Sequence, residues 1–243
     1  MSFHLILPSN ACPKLFPANS GSKYSTAIHD TISLPGRWEV ALMGITCSNC
    51  VNTFHNDSIT IEEKRVKQQR DIRLHPQIFR HVDKAIEYVN RCVSNPDVHF
   101  SVTAKNCVTL SIKSRDVTVT FGETLGSIFA FTKNSFSGVG EYTAEGEFSL
   151  TRCIDFLYIY SNITDYVRVG DTKAPLLGIV TLKSTGKECN QLTEHLIDNP
   201  TYVSLITNNI SEINIGIYDG AGEMIPFGAD AITVIRLHFR HVQ

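Results

Sequence analysis

With 243 residues, 42% of them hydrophobic and 19% charged, the chain has enough apolar matter to bury a sizeable core, which argues against disordered, collagen-like or low-complexity character. Its 22 Lys and Arg against 24 Asp and Glu leave a formal charge of −2, a poor electrostatic footprint for coating a phosphate backbone, so no specific nucleic-acid site is expected. Seven cysteines scattered at 12, 47, 50, 92, 107, 153 and 189 lack disulfide-scaffold spacing, and the apolar stretch Phe3 to Leu7 is too short for a signal peptide or membrane span. A reduced, non-secreted chain with no membrane span is the expectation, and the sequons at Asn56, Asn162 and Asn209 are read as chance matches.

Short segments of period-two alternation, rich in β-branched and aromatic residues and bounded by Gly, Pro, Asn and Asp, recur from one end to the other. Strands are expected over Phe3 to Leu7, Tyr24 to Leu34, Arg37 to Thr46, Asn52 to Ile61, Val98 to Thr103, Val108 to Lys113 and Asp116 to Phe121. The series continues over Ile154 to Asn162, Leu176 to Leu182, Glu212 to Tyr218 and Ala231 to Phe239. In Arg37 to Thr46, Trp38, Val40 and Leu42 share one face, as a half-buried antiparallel strand requires. Lys113 to Asp116 and Asp219 to Gly222 carry hairpin chemistry between alternating runs.

Helical spacing occurs in one long segment, where Ile78, Val82, Ala85, Ile86, Val89 and Val93 predict an amphipathic helix over about residues 77–93 that packs one face on a sheet. Thr124 to Phe131 is compatible with a second short helix, and Leu192 to Asp198, ahead of Pro200, with a turn or a third helical piece. Eleven or so short strands with few helices read as an all-β, antiparallel β-sandwich with one inserted helix and long loops, occupying residues 1–243 as one domain, for which jelly roll and immunoglobulin-like are the two large families. The chain is long for an immunoglobulin-like sandwich.

Chemistry finds little footing. Cys47-Ser-Asn-Cys50 is an isolated CxxC, for which His55 and Cys12 are poor partners in a zinc site. His238 and His241, three apart on a predicted strand, point to opposite faces, and no His-x-His of the cupin kind occurs. No Gly-x-Ser-x-Gly elbow or P-loop is present. The expectation is therefore no catalytic, cofactor-binding or metal-binding residues and no enzyme activity. The basic stretch Lys64 to Arg73, partly neutralised by Glu62, Glu63 and Asp71, reads as an exposed mobile loop or peripheral helix, and the glycines of Phe136 to Tyr142 as loop punctuation. Gly170 to Pro175 reads as a corner between strands, Phe227 as a core anchor on entry to the last strand, and Trp38 as a core residue.

Three stretches together resemble the minor capsid (penton) protein of Polinton/Maverick elements and adintoviruses. They are Phe3-His-Leu-Ile-Leu-Pro-Ser-Asn10 with Tyr24-Ser-Thr26 and Leu34-Pro-Gly-Arg-Trp-Glu-Val-Ala-Leu42; Leu157-Tyr-Ile-Tyr160 with Val169-Gly-Asp-Thr-Lys-Ala-Pro-Leu-Leu177; and Tyr202-Val-Ser-Leu205, Ile213-Asn-Ile-Gly-Ile217-Tyr-Asp219, Gly222, Ile225-Pro-Phe227 and Thr233-Val-Ile-Arg-Leu-His-Phe-Arg240. Residues 47–75 align to no family pattern. The resemblance implies a single jelly roll and a structural virion protein, forming homopentamers at the fivefold vertices of an icosahedral capsid and abutting double-jelly-roll major capsid subunits. The alternatives are a non-viral jelly-roll module that binds a ligand or receptor and, behind it, a jelly-roll enzyme. Residues 47–75 and 132–150 are expected to be long loops able to reach a neighbouring copy, giving a loop-rich, partly polar interface.

Overall fold

A computed structural model describes residues 1–48, 51–152, 154–182 and 192–242. In chain order the first elements are β1 (Ser2–Pro8), β2 (Lys23–Ser33), β3 (Trp38–Ser48), β4 (Asp57–Glu63), β5 (Gln68–Leu74), α1 (Val82–Val93), β6 (Val98–Val102), β7 (Val108–Ile112), β8 (Val117–Phe121), α2 (Glu123–Phe129), β9 (Ser135–Ser137) and β10 (Gly140–Thr143). They are followed by β11 (Phe156–Ser161), β12 (Val167–Val169), β13 (Thr172–Ala174), β14 (Leu176–Thr181), β15 (Leu192–Leu196), β16 (Tyr202–Ser204), β17 (Asn209–Tyr218) and β18 (Val234–His241). The sequence reading set one domain over 1–243. Within it the chain divides into two compact units, the first made of Met1–Cys50 and Ile154–Gln243 and the second of Val51–Cys153.

The first unit is built on two antiparallel sheets, ordered β1-β18-β3-β15, with β16 also on β3, and β14-β11-β17-β2; β12 and β13 form a separate ribbon. With β15 and β16 counted as one interrupted strand and the ribbon set aside, the first, third, sixth and eighth strands share one sheet. The second, fourth, fifth and seventh share the other. That order is the jelly roll expected from the sequence, two Greek keys wrapped into a two-layer sandwich. The second unit enters this series in sequence between the third strand, β3, and the fourth, β11.

Alternation explains why the sandwich closes. Val40, Leu42, Ile45 and Cys47 of β3 and Ile235, Leu237 and Phe239 of β18 are buried, as are Leu157 and Ile159 of β11 and Ile213, Ile215 and Ile217 of β17. Tyr24 on β2 donates its hydroxyl to the Leu7 carbonyl on β1, at 3.1 Å, tying one sheet to the other, and burial pushes its phenol far above the usual range. Gly178 faces Leu42 so closely that a Cβ there would lie 2.9 Å from its Cδ2. Trp38 is a core residue, 4% exposed, its N–H donated to the Pro35 carbonyl.

The second unit has sheets β5-β4-β8-β9 and β10-β7-β6. Its core holds Phe54, Phe79, Phe100, Phe121, Phe129, Phe131, Phe136 and Phe148 among Ile, Leu and Val side chains. The predicted helix is present as α1 but begins at Val82, because residues 77–79 bond back to 53 and 54 instead: Thr53 N–H donates to the Gln77 carbonyl and Phe79 N–H to Thr53 Oγ1. Ala85, Ile86, Val89 and Val93 form its buried stripe, and Asn90 pins it to β6 by bonding both the N–H and the carbonyl of Phe100. The second short helix forms as α2.

Several local expectations differ from the observed pairing. Residues 62–73 are a β-hairpin of β4 and β5, turning at 64–67, rather than a mobile loop or helix. β5 buries just Ile72 and Leu74, and its exposed charges suit an edge strand, so alternation is faint there. The long loops expected over 47–75 and 132–150 likewise contain β4, β5, β9 and β10. Leu192 to Leu196 is strand β15, not a turn or helix. The Lys113 to Asp116 turn joins strands of different sheets, since β7 already lies between β6 and β10 and β8 between β4 and β9. Asp219 to Gly222 is a tight turn, its Asp219 carboxylate accepting the N–H groups of Ala221 and Glu223, but beyond a single bridge between Tyr218 and Met224 the chain crosses to the other sheet.

Candidate functional site

Among the described residues the chemistry-bearing motifs do not converge. Cys47 points into the first unit's sandwich, 2% exposed, and burial pushes its thiol up to about 11; Cys50, Cys153 and Cys189 lie outside the described residues. His238 and His241 have separate surroundings: His238 is hydrogen-bonded to Tyr202, while His241 packs edge-on against Trp38 at 5.5 Å. Among the described residues no three His, Cys, Asp or Glu side chains group as metal ligands.

The remaining motifs take structural places. Lys64 to Lys67 turn the β4/β5 hairpin, and Arg70 donates to the Val93 carbonyl. Gly138, at φ +88°, lets the chain turn between β9 and β10, where Tyr142 donates to the Ser137 carbonyl. Gly170, at φ +60°, turns the β12/β13 ribbon. The fully buried anchor ahead of the last strand is Ile225, 1% exposed, whereas Phe227 is half-buried.

The first unit's two outer sheet faces are where the surface departs from a simple solvated one. On the β14-β11-β17-β2 sheet, the outward residues of β11 are Phe156, Tyr158 and Tyr160, alternating with buried Leu157 and Ile159. Register places Ile179, Tyr158 and Tyr218 in one row across three strands. Tyr160 meets Tyr218 edge to face at 5.5 Å, and Tyr218 lies over Gly216, where a Cβ would come within 2.7 Å of its ring. Burial, then the neighbouring Tyr158 and Tyr218, push the Tyr160 phenol up. Phe156 and Ile179 remain 44% and 46% exposed, so apolar and aromatic surface is left open to a partner.

The outer face of the β1-β18-β3-β15 sheet is built from rows read off the register. Ile6, Arg236, Gly44 and Leu196 form one row; His4, His238, Ala41 and Tyr202 the next; Ser2, Arg240, Glu39 and Ser204 a third. β15 inverts the usual polarity, directing Leu192 and Leu196 outward and Thr193 and His195 inward. Leu192, Leu196 and Ile6 are all more than 60% exposed. Ion pairs fasten this face: Arg236 to Glu194 at 2.7 Å and Arg240 to Glu39 at 2.8 Å, with the Arg240 guanidinium stacked 3.5 Å from the Tyr202 ring. Sequence alternation marked β1, β3 and β18 but neither β15 and β16 nor the outward apolar residues, because single exposed hydrophobics are common and gain meaning only when register assembles them.

Among the described outward residues no His, Cys, Asp and Glu side chains group as metal ligands, and the two faces are open rather than concave. Among the described residues no helix is long and apolar enough to cross a membrane. No family model and no curated protein matches the sequence. Among solved structures, the crystal structure of the mavirus penton protein superposes with a TM-score of 0.52 at 12% identity, covering 100% of each chain. The flagellar cap protein FliD of Escherichia coli, D2-D3 domains, matches at a TM-score of 0.26 and 11% identity over 90% of this chain and 100% of that one, too low to carry an argument. Jelly-roll strand order and end-to-end superposition agree: the chain has a virus penton-like fold.

Proposed function

We propose that this chain is a structural subunit of an icosahedral virus-like capsid, a penton that forms homopentamers at the fivefold vertices beside double-jelly-roll major capsid subunits. Its place is the virion, it catalyses nothing and needs no cofactor. The observation that carries this reading is the jelly-roll strand order in a chain that superposes over its full length on a penton protein. The three sequence stretches that resemble Polinton/Maverick and adintovirus pentons support the lineage. The two units serve as parts of one assembling subunit. Open apolar surface on both outer sheet faces supports head-to-tail contact between copies, since a ring needs two different, mutually fitting surfaces on each subunit. The copy-to-copy contact is assigned to these sheet faces, in place of the expected loops.

Native mass spectrometry at high concentration, or a density map of assembled particles, is expected to show five copies around a fivefold axis. Ile179→Asp, which sets a charge in the aromatic face without touching the core, is expected to abolish the ring and leave a folded monomer. A stable dimer or trimer absent from every vertex refutes the penton reading and favours the ligand- or receptor-binding module; an undisturbed pentamer in Ile179→Asp refutes the assignment of that face.

A further inference from the structure

Among the described residues β1 is an edge strand, paired with β18 from Ser2↔Arg240 to Pro8↔Val234. Its inner side is anchored by buried Leu7 and by Phe3, which stacks on Phe239 at 4.7 Å. Its outer side carries Ser2, His4 and Ile6, and His4 lies directly opposite His238, the ring centroids 4.5 Å apart. The groups that face this pair come from every neighbouring strand. β18 contributes Arg236 and Arg240; β3 contributes Glu39, held by Arg240; β15 contributes Glu194, held by Arg236; and β16 contributes Tyr202, whose hydroxyl is 2.7 Å from His238 Nδ1. Both carboxylates are thus engaged by arginines, and among the described residues of this face none is left to receive charge from the imidazoles.

We propose that His4 and His238 form a proton-operated latch on β1: neutral, the facing rings hold the edge strand in place; protonated together, they repel across the strand pair and release it. Like charges directly opposite each other in an antiparallel pair destabilise it. Burial first, then His4 and Arg240, hold His238 below the ordinary imidazole range, so the folded chain takes up this proton less readily than the unfolded one. The stability contributed by neutral His238 is therefore complete above the ordinary histidine value of about 6.5 and is lost as pH falls from there through the lowered folded value. Release bares the hydrogen-bonding edge of β18, a template onto which another strand can add. The latch does not depend on the capsid reading.

Amide hydrogen exchange, corrected for intrinsic pH dependence, tests it. Between about pH 7.5 and about pH 5, protection of the β1 amides relative to those of β3 is expected to drop by roughly two- to fivefold. His4→Gln and His238→Gln should each remove this drop, and combining them should change nothing further. Imidazole NMR titration is a second measurement: in the unmodified protein His238 should titrate below the ordinary histidine value of about 6.5, and it should move up in His4→Gln. A β1 protection ratio flat with pH, a drop that survives both substitutions, or a His238 titration at the ordinary position overturns the latch.

Discussion

Replacing Arg152 with Met strips the counterion from a buried carboxylate and should unfold the second unit at a markedly lower temperature. The Asp57 side chain is 1% exposed and the Arg152 side chain 13%, with Nη1 2.8 Å from Oδ2. Oδ2 also accepts the His55 backbone N–H at 2.6 Å, while Oδ1 is buried with no hydrogen-bond partner among the described residues. Without Arg152 the carboxylate keeps one N–H donor for two buried oxygens, a loss of about 3–5 kcal/mol, against about 0–1 kcal/mol for a surface pair. A domain of this size holds about 5–15 kcal/mol in total and shifts by about 4–8 °C per kcal/mol, so a fall of more than about 10 °C is expected. Calorimetry supplies the melting temperature, and pulse proteolysis should place the first new cuts within residues 51–153. Asp57→Asn should destabilise the parent protein yet stabilise Arg152→Met, since it removes the stranded charge. A loss below about 1 kcal/mol, or Asp57→Asn acting with the same sign in both backgrounds, refutes this account of the pair.

Three further outcomes follow from the same geometry. Gly178→Ala should cost about 1–3 kcal/mol by forcing Leu42 away from the facing sheet, read from denaturant midpoints at unchanged slope; an unaffected midpoint means that the two sheets do not meet so closely. At about pH 8, iodoacetamide followed by peptide mass spectrometry should label the partly exposed Cys12, Cys92 and Cys107 before Cys47, whose thiol burial pushes up to about 11; early modification of Cys47 contradicts its placement in the sandwich. Within the β4/β5 hairpin, brief trypsin treatment should cut at the turn residues Lys64, Arg65 and Lys67 and spare Arg70 and Arg73, which are held in β5; equal cutting at all five indicates that the hairpin does not form.

Strand placement was legible in the chain because alternation is local. Val40, Leu42 and Ile235, Leu237 and Phe239 advertise one buried face each, and β1, β3, β6, β7, β8, β11 and β14 lie within two residues of their expected bounds. Helix α1 was legible by its spacing, although its first turn was not, because residues 77–79 find better hydrogen-bond partners at 53 and 54. Edge and ribbon strands were not legible: β5, β12, β13 and β15 bury few side chains, and their alternation is therefore weak or, in β15, inverted.

Pairing belongs to the tertiary level. Hairpin chemistry at Lys113 to Asp116 specifies a turn but not the partner of the strand beyond it, which depends on the sheet edges that other segments have already occupied. The boundary of the second unit was hidden for the same reason: Val51–Cys153 continues the strand grammar of its flanks and differs from them in the core that its side chains share. The candidate surfaces follow this rule. Residues as far apart as His4 and His238, or Tyr158, Ile179 and Tyr218, acquire meaning when register brings them into one row, and register is set by long-range strand pairing that no local pattern encodes.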